Sequence, residues 1–110
     1  MNILIISQYY WPENFRINEI SQELVKLGNK VSVLTGLPNY PEGVIYKEFL
    51  KDKNYYSKYK KVNIYRVPIL PRRKNKLSLF INYISFVISA TYYGLFKIKK
   101  NEYDIIFVFQ

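Results

Sequence analysis

At 110 residues the chain has room for one small domain with one core, and with 49% apolar and 18% aromatic residues it is too greasy for a disordered tail. It has no cysteine and no histidine, which excludes disulfides, thiolate and imidazole metal sites and every Ser-His or Cys-His nucleophile, leaving carboxylates, tyrosines and lysines for any catalysis. The net charge of +9 is concentrated: between Lys47 and Lys100 fourteen Lys and Arg meet two acids, a local balance of +12, while the rest of the chain sums to −3.

Met1-Asn2 leads straight into Ile3-Leu4-Ile5-Ile6 with no basic n-region and no small-residue cleavage site, so no signal peptide is expected. Ile3 to Ser7 is a continuous apolar run that suits a strand buried on both faces of a parallel sheet. Pro12 to Asn14 can open a helix, and Ile17, Ile20, Leu24 and Leu27 then fall on one stripe, with Gly28 where a helix-ending glycine is expected. Val31 to Thr35 alternates in strand fashion and completes a β-α-β unit, the opening of a Rossmann-like half.

Gly36-Leu37-Pro38-Asn39-Tyr40-Pro41-Glu42-Gly43 carries two prolines and two glycines in eight residues and predicts an ordered, turn-rich loop. Tyr55 to Lys61 is polar and aromatic and Val62 to Val67 is strand-like, which predicts a hairpin or an extended arm ending in a third strand. Pro71 to Lys76 is a basic linker. Leu77 to Phe96 follows as twenty residues without a charge, a helix of about 30 Å, the thickness of a bilayer core. Its polar members Ser78, Asn82, Ser85 and Ser89 form one narrow stripe on an otherwise apolar cylinder, so the helix is expected to be buried or to lie in lipid. Asp104 to Gln110 reads as a last buried strand, yet with no covering helix after it the sheet is expected to look unfinished and to leave an apolar edge exposed. A helix crossing a membrane would separate this strand from the first one, so a buried or interfacial helix is the expectation.

Ligands of doubly wound sheets gather at the carboxyl ends of strands, which points to Ser7 to Arg16, Gly36 to Gly43 and Gln110. Neither GxGxxG nor GxxxxGK[ST] occurs there, so no independent nucleotide site is expected. Gln8-Tyr9-Tyr10-Trp11-Pro12-Glu13-Asn14-Phe15-Arg16 offers aromatic faces for the C–H surfaces of sugars, with amides, a carboxylate and a guanidinium for their hydroxyls. The alternative is that the aromatics pack on the helix and Glu13 favours its positive end. Glu13 and Glu42 form the obvious acid-base pair, and ordinary solvation of both is the other reading. Arg72, Arg73, Lys74 and Lys76 before the apolar helix and Lys97, Lys99 and Lys100 after it are candidates for contact with anionic head groups or for simple solvation.

The string Ile3 to Asn18, joined to Val33 to Gly43, resembles the N-terminus of retaining family 4 glycosyltransferases, closest to those that make O-antigen, capsule and colanic-acid-type polysaccharides. The similarity continues through Arg66-Val67-Pro68, the Asn82-Tyr83 to Gly94 helix and Asp104 to Phe107. The resemblance implies an α/β fold with a Rossmann-like parallel sheet, the incomplete N-terminal half of a GT-B architecture whose other half binds the nucleotide sugar. It implies that Gln8, Tyr9, Trp11, Glu13, Asn14, Arg16, Asn39, Tyr40 and Glu42 border the acceptor cleft, with no catalytic residue and no metal assigned. It also implies a lipid-linked saccharide acceptor, the cytoplasmic face of the inner membrane as the place of work, a nucleotide-sugar donor only for the complete enzyme, and a second chain as one source of the donor domain. A truncated product, inactive alone, is the expectation that goes with it. Where relatives carry glycines after the first strand, this chain has Trp11-Pro12-Glu13, so direct phosphate contact is not expected there. No cofactor and no nucleic acid are expected partners. The alternatives are a basic nucleic-acid-binding module, which the mixture of lysines and tyrosines could support, and a small membrane-associated module with one spanning helix.

Overall fold

The computed structural model describes residues 1–39, 44–70, 75–96 and 102–109. Tyr40, Glu42, Arg72, Arg73, Lys74, Lys97, Lys99 and Lys100 lie outside the described residues. The elements in chain order are β1 (Asn2–Ser7), α1 (Arg16–Lys26), β2 (Lys30–Gly36), α2 (Lys47–Lys51), a 3-10 turn at Tyr55–Ser57, β3 (Lys58–Tyr59), β4 (Val62–Val67), α3 (Lys76–Phe96) and β5 (Ile105–Phe109).

They build one five-stranded sheet in the order β3-β4-β2-β1-β5. β4, β2, β1 and β5 are parallel, and β3 is an antiparallel edge strand. Side chains alternate across a strand, and the core divides accordingly. Ile3, Ile5, Val31, Val33, Val62 and Ile64 pack with Ile17, Ile20 and Leu24 of α1 on one face. Leu4, Leu34, Val67 and Ile69 pack with Phe86 and Ala90 of α3 on the other. The continuous apolar runs of β1 and β2 are what two covered faces require.

The predicted stripe of α1 is present except for Leu27, which is 78% exposed. The helix stops one residue before it. Gly28 sits at φ 93°, its N–H donates to Val25 O, and the Asn29 N–H donates to Leu24 O, the paired bonds of a glycine-terminated helix. The apolar repeat therefore overruns the helix that it predicts. The expected hairpin is β3 and β4, joined by Lys60 and Lys61 at φ 44° and 71°, the left-handed conformation of a two-residue hairpin turn.

Two elements expose much of their apolar surface. β5 forms as predicted; Ile105, Ile106, Phe107 and Val108 are 42 to 57% exposed, so it is not the buried strand that its apolar run suggests but the exposed apolar edge also expected there, paired among the described residues with β1 alone. α3 also forms as predicted and is long and apolar enough to cross a membrane, yet only 11% of its most apolar window is buried. Of the two alternatives expected for it, burial in the fold or an interfacial position, burial is thus not met among the described residues.

Candidate ligand site at the carboxyl edge of the sheet

The four parallel strands end on one edge, where residues 8–15, 37–39 and 68–70 and the end of β5 come together. Strand order reverses between β1, whose successor β2 lies to one side, and β5 on the other, and such a switch point leaves a crevice between diverging connections. A cleft of about 960 Å³ lies at this point, between β1 and β5 below and α3 above. Leu4, Ile6, Phe86, Val87, Ala90 and Val108 form its apolar floor and wall, and Ser7, Gln8, Tyr9 and Phe15 stand at its carboxyl-edge end. The volume is at the upper end for small-molecule sites.

The loop after β1 is divided between the two faces of the sheet. Tyr9 and Phe15 stack at 4.9 Å with 9° between ring planes, and both line the cleft. Gln8 Nε2 donates to Asn82 Oδ1 at 2.6 Å, and the Tyr9 hydroxyl donates to the same oxygen at 3.2 Å. Asn82 in turn donates through Nδ2 to Leu70 O at 2.6 Å. One buried amide on α3 therefore joins the first loop to the chain leaving β4.

Tyr10 and Trp11 turn to the opposite face. Trp11 stacks on Tyr59 at 4.5 Å and approaches Tyr55 and Tyr56. Tyr10 is fully buried and shares a hydrogen bond with Ser21 of α1; burial pushes its phenol above the ordinary value of 10, more than that hydrogen bond lowers it. Gly36 permits a close approach, since a Cβ there would meet Ile69 Cδ1 at 3.0 Å and Gln8 O at 3.4 Å and the Ile69 side chain would have to give way.

Beneath the loop, Glu13 is buried and its Oε2 accepts the backbone N–H of Asn39, itself buried, at 3.0 Å. This bond ties the two predicted ligand loops to each other. Arg66 completes the support: Nη2 donates to Trp11 O at 2.6 Å and Tyr56 O at 3.2 Å. Burial draws the guanidinium down to about 10, and the charge of nearby Glu13 acts in the opposite direction, so it stays protonated at neutral pH.

Of the residues named from sequence, Gln8 and Tyr9 line the cleft, Glu13 and Asn39 hold its loops together from inside, and Trp11 belongs to the aromatic cluster behind it. Asn14 and Arg16 are exposed, and Lys76 is an exposed residue at the start of α3. Arg66, Phe15 and Asn82 were not singled out as site residues. Arg66 had a legible signal, since it continues the buried register of Val62 and Ile64 with a charge. Among the described residues no carboxylate, lysine or arginine lines the cleft, which is mostly apolar and carries Ser7, Gln8, Thr91 and the phenols of Tyr9 and Tyr83 as its polar groups. Among the described residues no three acidic side chains group as metal ligands.

The protein is an α/β protein with a mostly parallel five-stranded sheet, compatible with a Rossmann-like fold, and a cleft at its switch point. Comparison with protein-family models, curated proteins and solved structures finds no match.

Proposed function

We propose that the chain is the acceptor-binding, Rossmann-like N-terminal portion of a GT-B glycosyltransferase of bacterial surface polysaccharide synthesis, working on a lipid-linked saccharide at the inner face of the plasma membrane. The observation that carries the reading is the cleft at the switch point, apolar along α3 and β5 and bordered at the strand ends by Gln8, Tyr9 and the stacked Phe15. An apolar trough next to aromatic and amide groups matches a molecule that is hydrocarbon at one end and sugar at the other. The sequence resemblance supplies the reaction class. Sugar transfer belongs to the complete two-domain enzyme, so acceptor binding is the activity assigned to these residues.

Calorimetric titration with a short-chain prenyl-diphosphate monosaccharide tests this. Binding should saturate, and Tyr9→Ala should weaken it roughly tenfold through loss of one ring face and one polar contact. Equal affinity for the prenyl diphosphate without sugar, unaffected by Tyr9→Ala, would remove the saccharide from the reading.

A further inference from the structure

The polarity of α3 is inside out. Asn82 donates to Leu70 O, Ser85 Oγ accepts the Leu70 N–H at 2.9 Å, and Ser89 Oγ donates to Pro68 O. The polar stripe thus faces the protein and clamps the helix to the chain leaving β4. A third face of the helix, beside the stripe and away from the cleft that Tyr83, Phe86 and Ala90 line, carries Leu77, Phe80, Ile81, Ile88 and Tyr92, which are 68, 62, 40, 65 and 52% exposed. Thr91, also exposed, turns its hydroxyl back onto Val87 O at 2.7 Å and so presents no free donor. A water-facing helix has the reverse arrangement.

Three further observations bear on what covers this arc. Seven Lys and Arg lie within five residues of the described helix, at 72–74, 76, 97, 99 and 100, and no acid occurs between Asp52 and Glu102. Anionic head groups complement that charge, whereas a second copy of the same segment is repelled by it. Both flanks of the helix return to one sheet: β5 pairs with β1, and the Asp104 N–H donates to Asn2 O at 2.8 Å. A helix bonded through Asn82, Ser85 and Ser89 to the chain leaving β4, and followed by a strand of the same sheet, cannot stand across a bilayer.

We infer that α3 is an in-plane membrane element, with the arc from Leu77 to Tyr92 immersed in the outer hydrocarbon of an anionic leaflet and the polar stripe turned to the protein. This rests on the membrane part of the proposed function and specifies its face, its orientation and the lipid charge. The soluble sheet then lies parallel to the membrane, with the cleft beside α3 close to the lipid.

The absence of cysteine makes single-cysteine labelling of the whole chain direct. With vesicles of phosphatidylglycerol and phosphatidylcholine, spin labels at Leu77→Cys and Tyr92→Cys should report one shared depth, about 5 to 10 Å into the boundary region. A label at Ala90→Cys, on the cleft side, should be shallower. Phe80→Asp combined with Ile88→Asp should lower vesicle partition roughly a hundredfold, two buried side chains' worth, with an unchanged unfolding midpoint. Depths for 77 and 92 that differ by about 20 Å, the rise over fifteen helical residues, would mean a spanning helix and overturn the inference. So would an arc that binds no vesicle and instead joins two copies in a sedimentation experiment. Saccharide binding measured without vesicles does not involve this arc, so its loss would strike the acceptor reading alone.

Discussion

At the scale of the residue, the loops of the site are held from beneath by groups that look chemical in the sequence and are positional in the fold. Glu13 reads as an acid-base candidate, but its Oε2 is engaged by the Asn39 N–H inside the protein. Glu13→Ala should therefore cost about 2 to 3 kcal/mol by leaving that buried N–H without its carboxylate, and Glu13→Gln, which keeps an acceptor, roughly 1 kcal/mol. Urea unfolding measures both, and equal losses would deny the bond its role. Tyr10 makes a pH-dependent contribution. Burial raises its folded-state pKa above 10, so the stability it gives is complete below pH 10 and is lost as pH rises beyond it. Tyr10→Phe forfeits the Ser21 hydrogen bond, and should be about 1 kcal/mol less stable than the parent at pH 8, with the gap closing towards pH 11. A constant gap across that range would contradict the assignment.

At the scale of the element, the turn between β3 and β4 holds two lysines in the left-handed region that asparagine and glycine occupy at least cost. Lys60→Asn with Lys61→Gly should raise stability by about 1 to 2 kcal/mol, read as a later urea midpoint with an unchanged slope. A lower midpoint would mean that Lys60, placed 5.3 Å over the Tyr59 ring, contributes more than its backbone costs. Where the apolar pattern is long, the sequence was a good guide: Ile3 to Ser7, the Ile17 stripe, Val31 to Thr35, Val62 to Val67 and the Leu77 helix all form. It was a poor guide to α2 and to the 3-10 turn at Tyr55–Ser57, since five and three residues carry no readable period. Burial was misread at Leu27 and left open at β5 and α3 for one reason. Apolarity states that a surface avoids water and does not state what covers it. The inward polar stripe of α3 was visible as spacing, but its partners at residues 68–70 are a tertiary fact.

At the scale of the molecule, the sheet places both ligand loops at one edge, while α3 turns an apolar arc outwards from the same face that bears the cleft. That Gln8 and Tyr9 would stand at the carboxyl edge was legible because β1 had to be followed by a carboxyl-end loop; which of the loop's aromatics would enter the cleft was not, since adjacent rings at 9, 10 and 11 divide between opposite faces of the sheet. On the inference that this arc meets an anionic surface, the basic half of the chain would add attraction, and vesicle binding should weaken as salt rises.

The most direct test of acceptor binding is an amide chemical-shift titration of the isotope-labelled chain with the prenyl-diphosphate monosaccharide. The account predicts that shifts concentrate at Ser7, Gln8, Tyr9 and Phe15 and along the cleft face of α3 at Phe86 and Ala90, while the Lys60 turn stays unchanged. Shifts confined to the lysines at 58–61, or none at saturating ligand, would contradict it.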